Sequence, residues 1–351
     1  MMSTDTRPHT IVQIQLNGMG DLVWHAQYLR CIAAQSRDGQ VTLLAPPTAM
    51  ARDLIGHEPW LREVVDFDRR PRKVEQRRGR HSGLDGLMRL GAELAPQRFD
   101  RMIMFSDHPG RACIVCWRAG IRQRIGYGAT RLQRLMLSKT PWIEFYQGPD
   151  VRSYHEATRF AIAQGFCDAP IVPRINARPD ALARMEQRLA ALPRPLFGLA
   201  IGASEPWKHW GTENFAALSR LLVESGGSVF LSGGPLEGEL AQQIIAGVPA
   251  ELRERVMPLT DGSAADTVAA MALATVCIGN DTGATNIAAG VCTPTWVLLG
   301  PRPVLPHDPE MMKLLQAPQL SDIRPDDVLR QVLARMQAES APHPTARAEA
   351  P

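Results

Sequence analysis

Four short stretches of this 351-residue sequence join glycines to polar or charged residues in patterns that could do chemistry. In LNGMGDLVW, Gly18 and Gly20 precede Asp21. Glycines there let the backbone pass close to a ligand or a neighbouring sheet. Asp21 at a helix start reads two ways: a carboxylate stabilising the helix N-terminus by about 0.3–1 kcal/mol, or a general base facing a cleft. In LAIGASEPWKHWGTENF, a strand ends at Gly202-Ala203-Ser204 and Lys208 sits between Trp207 and Trp210. A lysine in a strand-to-helix turn can reach a phosphate over the sheet edge, although a plain surface lysine would look the same. In LSGGPLEGE, Gly233-Gly234 leads into Glu237 and Glu239, which either complement a helix dipole or bind ribose hydroxyls. In GNDTGATN, Asp281-Thr282-Gly283 and Asn286 start a helix of small residues, whose N–H groups can hold phosphate without a special side chain. A polar NDTG set between apolar runs has no packing purpose.

These stretches need elements that aim them at one place. Short β-like runs alternate with helical segments from end to end. In the first half the strands fall at 11–16, 41–44, 64–67 and 101–105, with helices such as 23–34 and 84–94. In the second half they fall at 196–201, 228–232, 255–259, 276–279 and 294–299, with helices near 213–222, 237–246, 264–274 and 284–290. Such alternation predicts parallel sheets wrapped by helices, and two sets predict two doubly wound domains. The boundary belongs in 170–179, followed by a helix from an Asp180 N-cap through 192; Thr212 reads as another N-cap. Pro325 opens a last helix to about 336. This divides the chain into a domain over 10–172, a second over 173–337 and a disordered tail over 338–351.

Composition narrows the class. A hydrophobic fraction of 45% and a charged fraction of 21% are those of a globular protein. Six scattered cysteines read as buried free thiols of a reducing compartment, and the Cys113/Cys116 pair as helix packing rather than a metal or redox site. The polar first ten residues lack the apolar core of a signal peptide, and no stretch is greasy enough to span a bilayer. The reading is a soluble, cytoplasmic protein, at most resting on a membrane. Residues 1–172 hold 24 Lys/Arg against 17 Asp/Glu, a balance of +7, and residues 173–351 hold 15 against 19, a balance of −4. The N-terminal half therefore expects an anionic partner. Its basic stretches are RRPRKVEQRRGR, with Arg69, Arg70, Arg72 and Lys73, and RACIVCWRAGIRQR, with Arg118 and Arg122. They read as a solvated loop and an amphipathic core helix, or as contacts to anionic lipid head groups or a charged glycan. Nucleic acid is set aside, because no recognition motif accompanies them. Dinucleotide oxidoreduction is also disfavoured: Val23 stands where GxGxxG needs its third glycine.

LNGMGDLVWHAQYLR, GASEPWKHWGTENFAALSRLL, LSGGPLEGE and GNDTGATNIAAGVCTPTWVLLGP, in this order, resemble glycosyltransferase family 9, the ADP-heptose:lipopolysaccharide heptosyltransferases. The match spreads over roughly residues 10–335. The resemblance implies a GT-B fold, two Rossmann-like domains facing across a cleft, and inverting, metal-independent transfer with no cofactor. It implies Asp21 as general base and Lys208 on the donor diphosphate. Gly18, Gly20, Ser204, Glu237, Thr260, Gly262, Asp281, Thr282, Gly283 and Asn286 would line the donor site, with Glu237 near the ribose. It implies an ADP-sugar donor and an anionic glycolipid acceptor at the cytoplasmic face of the inner membrane. The family has histidine where this chain has Asn286, proline at Ile201, and small hydroxyl residues at Asn17 and Gly18. An asparagine hydrogen-bonds but carries no charge. A different nucleotide-sugar, a protein acceptor or a non-catalytic binding relative are the alternatives.

Overall fold

The computed structural model describes residues 5–15, 18–71, 76–149, 151–302 and 307–340. Five parallel strands make the first sheet: β1 (Thr10–Ile14), β2 (Val41–Ala45), β3 (Leu61–Asp66), β4 (Arg101–Phe105) and β5 (Gln123–Gly126), in the order β3-β2-β1-β4-β5. Its helices are α1 (Met19–Ala34), α2 (Ala51–Ile55), α3 (Gly83–Leu94), α4 (Gly110–Ala119), α5 (Arg131–Met136) and α6 (Arg152–Ala163). After α7 (Pro179–Leu189) the second sheet follows, with β6 (Leu196–Ala200), β7 (Ser228–Ser232), β8 (Val256–Leu259), β9 (Val276–Asn280), β10 (Thr295–Leu299) and β11 (Met312–Gln316). Its order is β11-β10-β9-β6-β7-β8, again parallel throughout. The helices of this half are α8 (Thr212–Glu224), α9 (Gly238–Ala246), α10 (Ala264–Leu273), α11 (Gly283–Gly290) and α12 (Pro325–Ser340).

The central strands β1, β2, β4, β6, β7, β9 and β10 are buried at every position. They read as continuous apolar runs because helices cover both faces of a parallel sheet. The α/β reading with two doubly wound sheets holds. The strands that sequence reading missed, β5 and β11, are outer strands. Their QRIG and MKLLQ keep polar residues at exposed positions and never become an apolar run. For the same reason β3 starts at Leu61, earlier than expected, with exposed Arg62 and Glu63 in its first half.

Several helix ends also differ. α1 begins at Met19, so Gly20 lies in its first turn rather than in the turn before it, and Asp21 stands at the helix start as read. Gly211, not Thr212, is the N-cap of α8. Arg178, not Asp180, caps α7, with Pro179 at its first position; Asp180 instead pairs with Arg178 and Arg184 at 2.7 and 2.9 Å. α7 stops at Leu189, short of 192. At the other end α12 runs to Ser340, so residues 338–340 continue a helix where a disordered tail was expected; 341–351 lie outside the described residues. All six cysteines are free, and Cys113 and Cys116 are buried in α4 as helix packing. Among the described residues no helix is long and apolar enough to cross a membrane.

The two halves share an apolar core that runs from β1 and α1 through Ile175 to α10 and α11. α1 packs along α11, and glycines at both ends of α11 and in the first turn of α1 permit the approach. A Cβ on Gly20 would lie 2.9 Å from Asn286 Nδ2, one on Gly283 would lie 3.0 Å from the Met19 Cβ, and one on Gly290 would lie 3.1 Å from Val23 Cγ1. The contact brings the carboxyl end of β1 to the carboxyl end of β9.

Candidate active site

In open α/β sheets ligands collect at the carboxyl ends of strands. Here both sheets turn those ends toward one cavity of about 860 Å³. Its first wall holds Gly18, Met19, Gly20, Asp21 and Trp24 from the β1–α1 turn. Asp21 Oδ2 accepts a hydrogen bond from the Gly18 N–H at 2.9 Å, so the carboxylate caps its own helix while lining the cavity. Beneath it, buried His25 donates from Nδ1 to the Asp21 carbonyl at 2.6 Å. Burial pushes the His25 imidazole below its ordinary pKa, which keeps it neutral. The two readings of Asp21, helix cap and cleft carboxylate, therefore coexist in one side chain.

The opposite wall comes from four strand ends of the second sheet. After β6, a short 3₁₀ turn over Pro206–Lys208 carries Lys208, whose ammonium lies 2.6 Å from the Glu205 carboxylate and 3.1 Å from Ser204 Oγ. That contact holds the Glu205 carboxyl below its usual range. Trp210 is buried: its N–H donates to Asn280 Oδ1 at 3.0 Å and its indole to the Ile323 carbonyl. Asn280 in turn donates to the carbonyls of Ile201 and Gly202 at 2.9 and 3.1 Å. The asparagine of NDTG thus ties the β6 turn to the β9 turn and fixes where Lys208 stands.

After β7, Glu237 Oε2 accepts from the Gly234 N–H at 2.7 Å. Its side chain lies where a Cβ on Gly233 would meet it at 2.7 Å, so the glycine makes room for the acid. After β8, Gly262 lines the cavity; Thr260 stands behind Gly233 and Gly238 rather than on the wall itself. After β9, Asp281 and the α11 N-cap Thr282 present the start of that helix to the cavity, with Gly283 and Asn286 beside them. Asn286 is 6% exposed. Its Oδ1 accepts from Trp24 Nε1 and its Nδ2 donates to the Thr282 carbonyl, both at 2.8 Å.

Of the residues singled out from sequence, one cavity thus gathers Gly18, Gly20, Asp21, Ser204, Lys208, Glu237, Gly262, Asp281, Thr282, Gly283 and Asn286. The basic residues separate. Arg69 and Arg70 follow the carboxyl end of β3 and do not line the cavity. The Arg69 guanidinium lies 5.2 Å from the Phe67 ring centroid, and neighbouring Arg111 and Arg70 add to burial in lowering its pKa. Arg118 and Arg122 do not join them. They end α4 and precede β5, at the opposite edge of the sheet, where Arg118 packs over Gly91 of α3. What read as one basic segment is a helix running away from the cleft and the strand that starts back. Arg72 and Lys73 lie outside the described residues.

Sequence reading missed Trp24 and Arg302 in the cavity wall. Trp24 sits one turn beyond Asp21, on the same face of α1. Arg302 follows Gly300 and Pro301 after β10, a fifth strand end of the second sheet, but without the glycine-and-acid signature of the flagged turns.

Two parallel α/β sheets whose strand ends face one cavity, with a carboxylate on one side and a lysine, glycine turns and a helix N-terminus on the other, define a GT-B glycosyltransferase. The sequence model of glycosyltransferase family 9 (heptosyltransferase) matches residues 87–315, and the chain belongs to that family. It is 23% identical to lipopolysaccharide heptosyltransferase 2 of Escherichia coli (strain K12), over 94% of this chain and 99% of that protein. Among solved structures it resembles an E. coli ADP-heptose lipopolysaccharide heptosyltransferase II, with a TM-score of 0.74, 21% identity, and coverage of 95% of this chain and 100% of the other. An E. coli heptosyltransferase solved with ADP-2-deoxy-2-fluoro heptose gives a TM-score of 0.67 at 18% identity, covering 93% and 99%.

Proposed function

We propose that this glycosyltransferase moves heptose from ADP-heptose onto an anionic glycolipid acceptor of the lipopolysaccharide inner-core type, with inversion at the anomeric carbon and without a metal ion. The observation that carries the reading is the pairing, across one cavity, of Asp21 on the first sheet's side with Lys208 and the α11 N-terminus on the second sheet's side. The first half, to about residue 172, would hold the acceptor and the second, from 173 to 337, the donor. Donor assignment draws on the relatives, one of which was solved with an ADP-heptose analogue.

In the proposed step the acceptor oxygen forms its bond to the anomeric carbon as the bond from that carbon to the ADP oxygen breaks. The acceptor hydroxyl proton passes to the Asp21 carboxylate. General-base help of this kind is worth roughly 10²–10⁴-fold. Negative charge grows on the departing diphosphate, where Lys208 and the N–H groups opening α11 stabilise it. These groups supply the positive charge that a divalent ion gives in other transferases. Glu237, held by the Gly234 N–H, is the acid for the ribose, with Ser204 and Gly262 around the nucleoside. Arg69 and Arg70, beyond the carboxyl end of β3, suit a phosphorylated or carboxylated acceptor, and the reading sets the reaction at the cytoplasmic face of the inner membrane. The engagement of Asn286 with Trp24 and Thr282, in place of the family's histidine, favours as second reading a donor whose sugar differs from heptose.

Asp21→Asn tests the step. The amide oxygen still accepts from the Gly18 N–H, so the helix start survives while the base is lost. Turnover of ADP-heptose with a heptose-free lipopolysaccharide acceptor, measured with a chelator present, should fall by about 10²–10⁴-fold with little change in KM. Unchanged turnover would remove the base assignment, and activity appearing only on adding a divalent ion would remove metal independence.

A further inference from the structure

We propose that Arg302 is a second phosphate-binding cation of the donor site, acting with Lys208 beside Trp207 on the nucleoside diphosphate; this rests on the donor reading above. Arg302 is placed with care. Its N–H donates to the Gly300 carbonyl at 2.8 Å and its carbonyl accepts from Gln316 Nε2 of β11 at 2.9 Å, which pins the turn after β10 to the neighbouring strand. The guanidinium lies 5.5 Å from the centroid of the Trp207 ring, and the Lys208 ammonium lies 5.3 Å from the same centroid. One exposed tryptophan thus gathers two cations that come from different strand ends, and both line the cavity. Cations favour the face of an indole, so the ring holds them near each other against their mutual repulsion.

Each cation already faces a carboxylate. Lys208 meets Glu205, and Arg302 pairs through Nη2 with Asp281, which stands just before the α11 N-cap. A bare carboxylate at Asp281 would repel a diphosphate brought to that helix start. Arg302 cancels that charge and leaves the N-terminus of α11 attractive to anions. The pairing also leaves capacity over. Arg302 Nε is buried and has no hydrogen-bond partner among the described residues. A buried N–H without an acceptor is unfavourable, and the Nε–Nη edge of a guanidinium matches two oxygens of a phosphate. When a diphosphate occupies the cavity, Arg302 turns this edge to its oxygens while Lys208 exchanges Glu205 for them. The resemblance that marks Lys208 assigns nothing to Arg302.

The test is calorimetric titration of the full chain with ADP and with adenosine, comparing the unmodified protein with Arg302→Gln and Arg302→Lys. Arg302→Gln should weaken ADP about tenfold or more while adenosine stays within about twofold. Arg302→Lys should fall between, because it keeps the charge and loses the planar fork. An ADP Kd within about twofold of the unmodified protein, or equal losses for ADP and adenosine, would overturn the assignment while leaving the donor reading standing. If the unmodified protein prefers UDP or GDP, the ADP reading fails, and the same comparison of that diphosphate with its nucleoside decides Arg302. Binding of no nucleoside diphosphate overturns both. Thermal melting checks each variant; should Arg302→Gln not fold, the Arg302→Lys comparison is decisive by the same criterion.

Discussion

At the scale of single residues, Asn286 stands where the resemblance implies a histidine. Both ends of its amide are engaged inside the protein, one by the Trp24 indole from the first half and one by the Thr282 carbonyl from its own helix. The residue is a strap across the cleft floor as well as part of its wall. Trp24→Phe removes the indole donor while keeping most of the aromatic bulk. It leaves the nearly buried Asn286 oxygen without that partner, which should cost about 1–3 kcal/mol. Urea unfolding should register this as a lower midpoint with an unchanged slope. An unchanged midpoint would mean that water replaces the indole without loss, and the strap would carry no stability.

At the scale of elements, the contact of α1 with α11 sets the distance between the Asp21 wall and the Lys208 wall of the cavity. Asp21 rides in the first turn of α1, and Asp281 and Thr282 open α11. Gly20→Ala would insert a methyl group 2.9 Å from Asn286 Nδ2. Asn286 could yield only by giving up its bond to Trp24 or to Thr282. The expected result is a destabilisation of about 1–3 kcal/mol, together with a fall in kcat larger than any rise in the ADP Kd. The fall in kcat follows because the wedge changes a distance between two walls, while Lys208 and Glu237 on the far wall are not touched. Calorimetry and turnover on the same preparation separate the two effects. Weaker ADP binding with kcat preserved would refute the view that this helix contact tunes the cleft.

At the scale of the whole molecule, four histidines from separate parts of the chain share one property. His9, His25, His81 and His209 all have their pKa lowered, chiefly by burial. Unfolded imidazoles titrate near their ordinary value of about 6.5. Below that pH the unfolded chain binds more protons than the fold, so stability falls as pH falls. This contribution is fully present above about pH 6.5 and is lost progressively as the pH drops through the lower folded values. The melting temperature should therefore decline from pH 7.5 to 5.5. His25→Asn, which keeps a donor for the Asp21 carbonyl and cannot titrate, should flatten part of that decline. A melting temperature that is level or rising over this range would contradict it.

The sequence by itself determined the repeated β/α order, the burial of the central strands and the turns that carry chemistry, because these are local. A strand buried on both faces must be an apolar run, and a turn that admits a ligand at a strand end needs glycines and polar residues within a few positions. LNGMGD, GASEPWK, SGGPLE and GNDTG all follow that rule and all reach one cavity. The outer strands β5 and β11 escaped it because half-exposed strands mix polar and apolar residues as loops do. Only the tertiary structure decided what depends on residues far apart in the chain. It joined Trp24 to Asn286, brought Arg302 to Trp207 and Asp281, and parted Arg118 and Arg122 from Arg69 across the first sheet. No local pattern contains those distances. They follow from which strands neighbour which and how closely two helices pack, and in this protein glycines at 20, 283 and 290 permit the second.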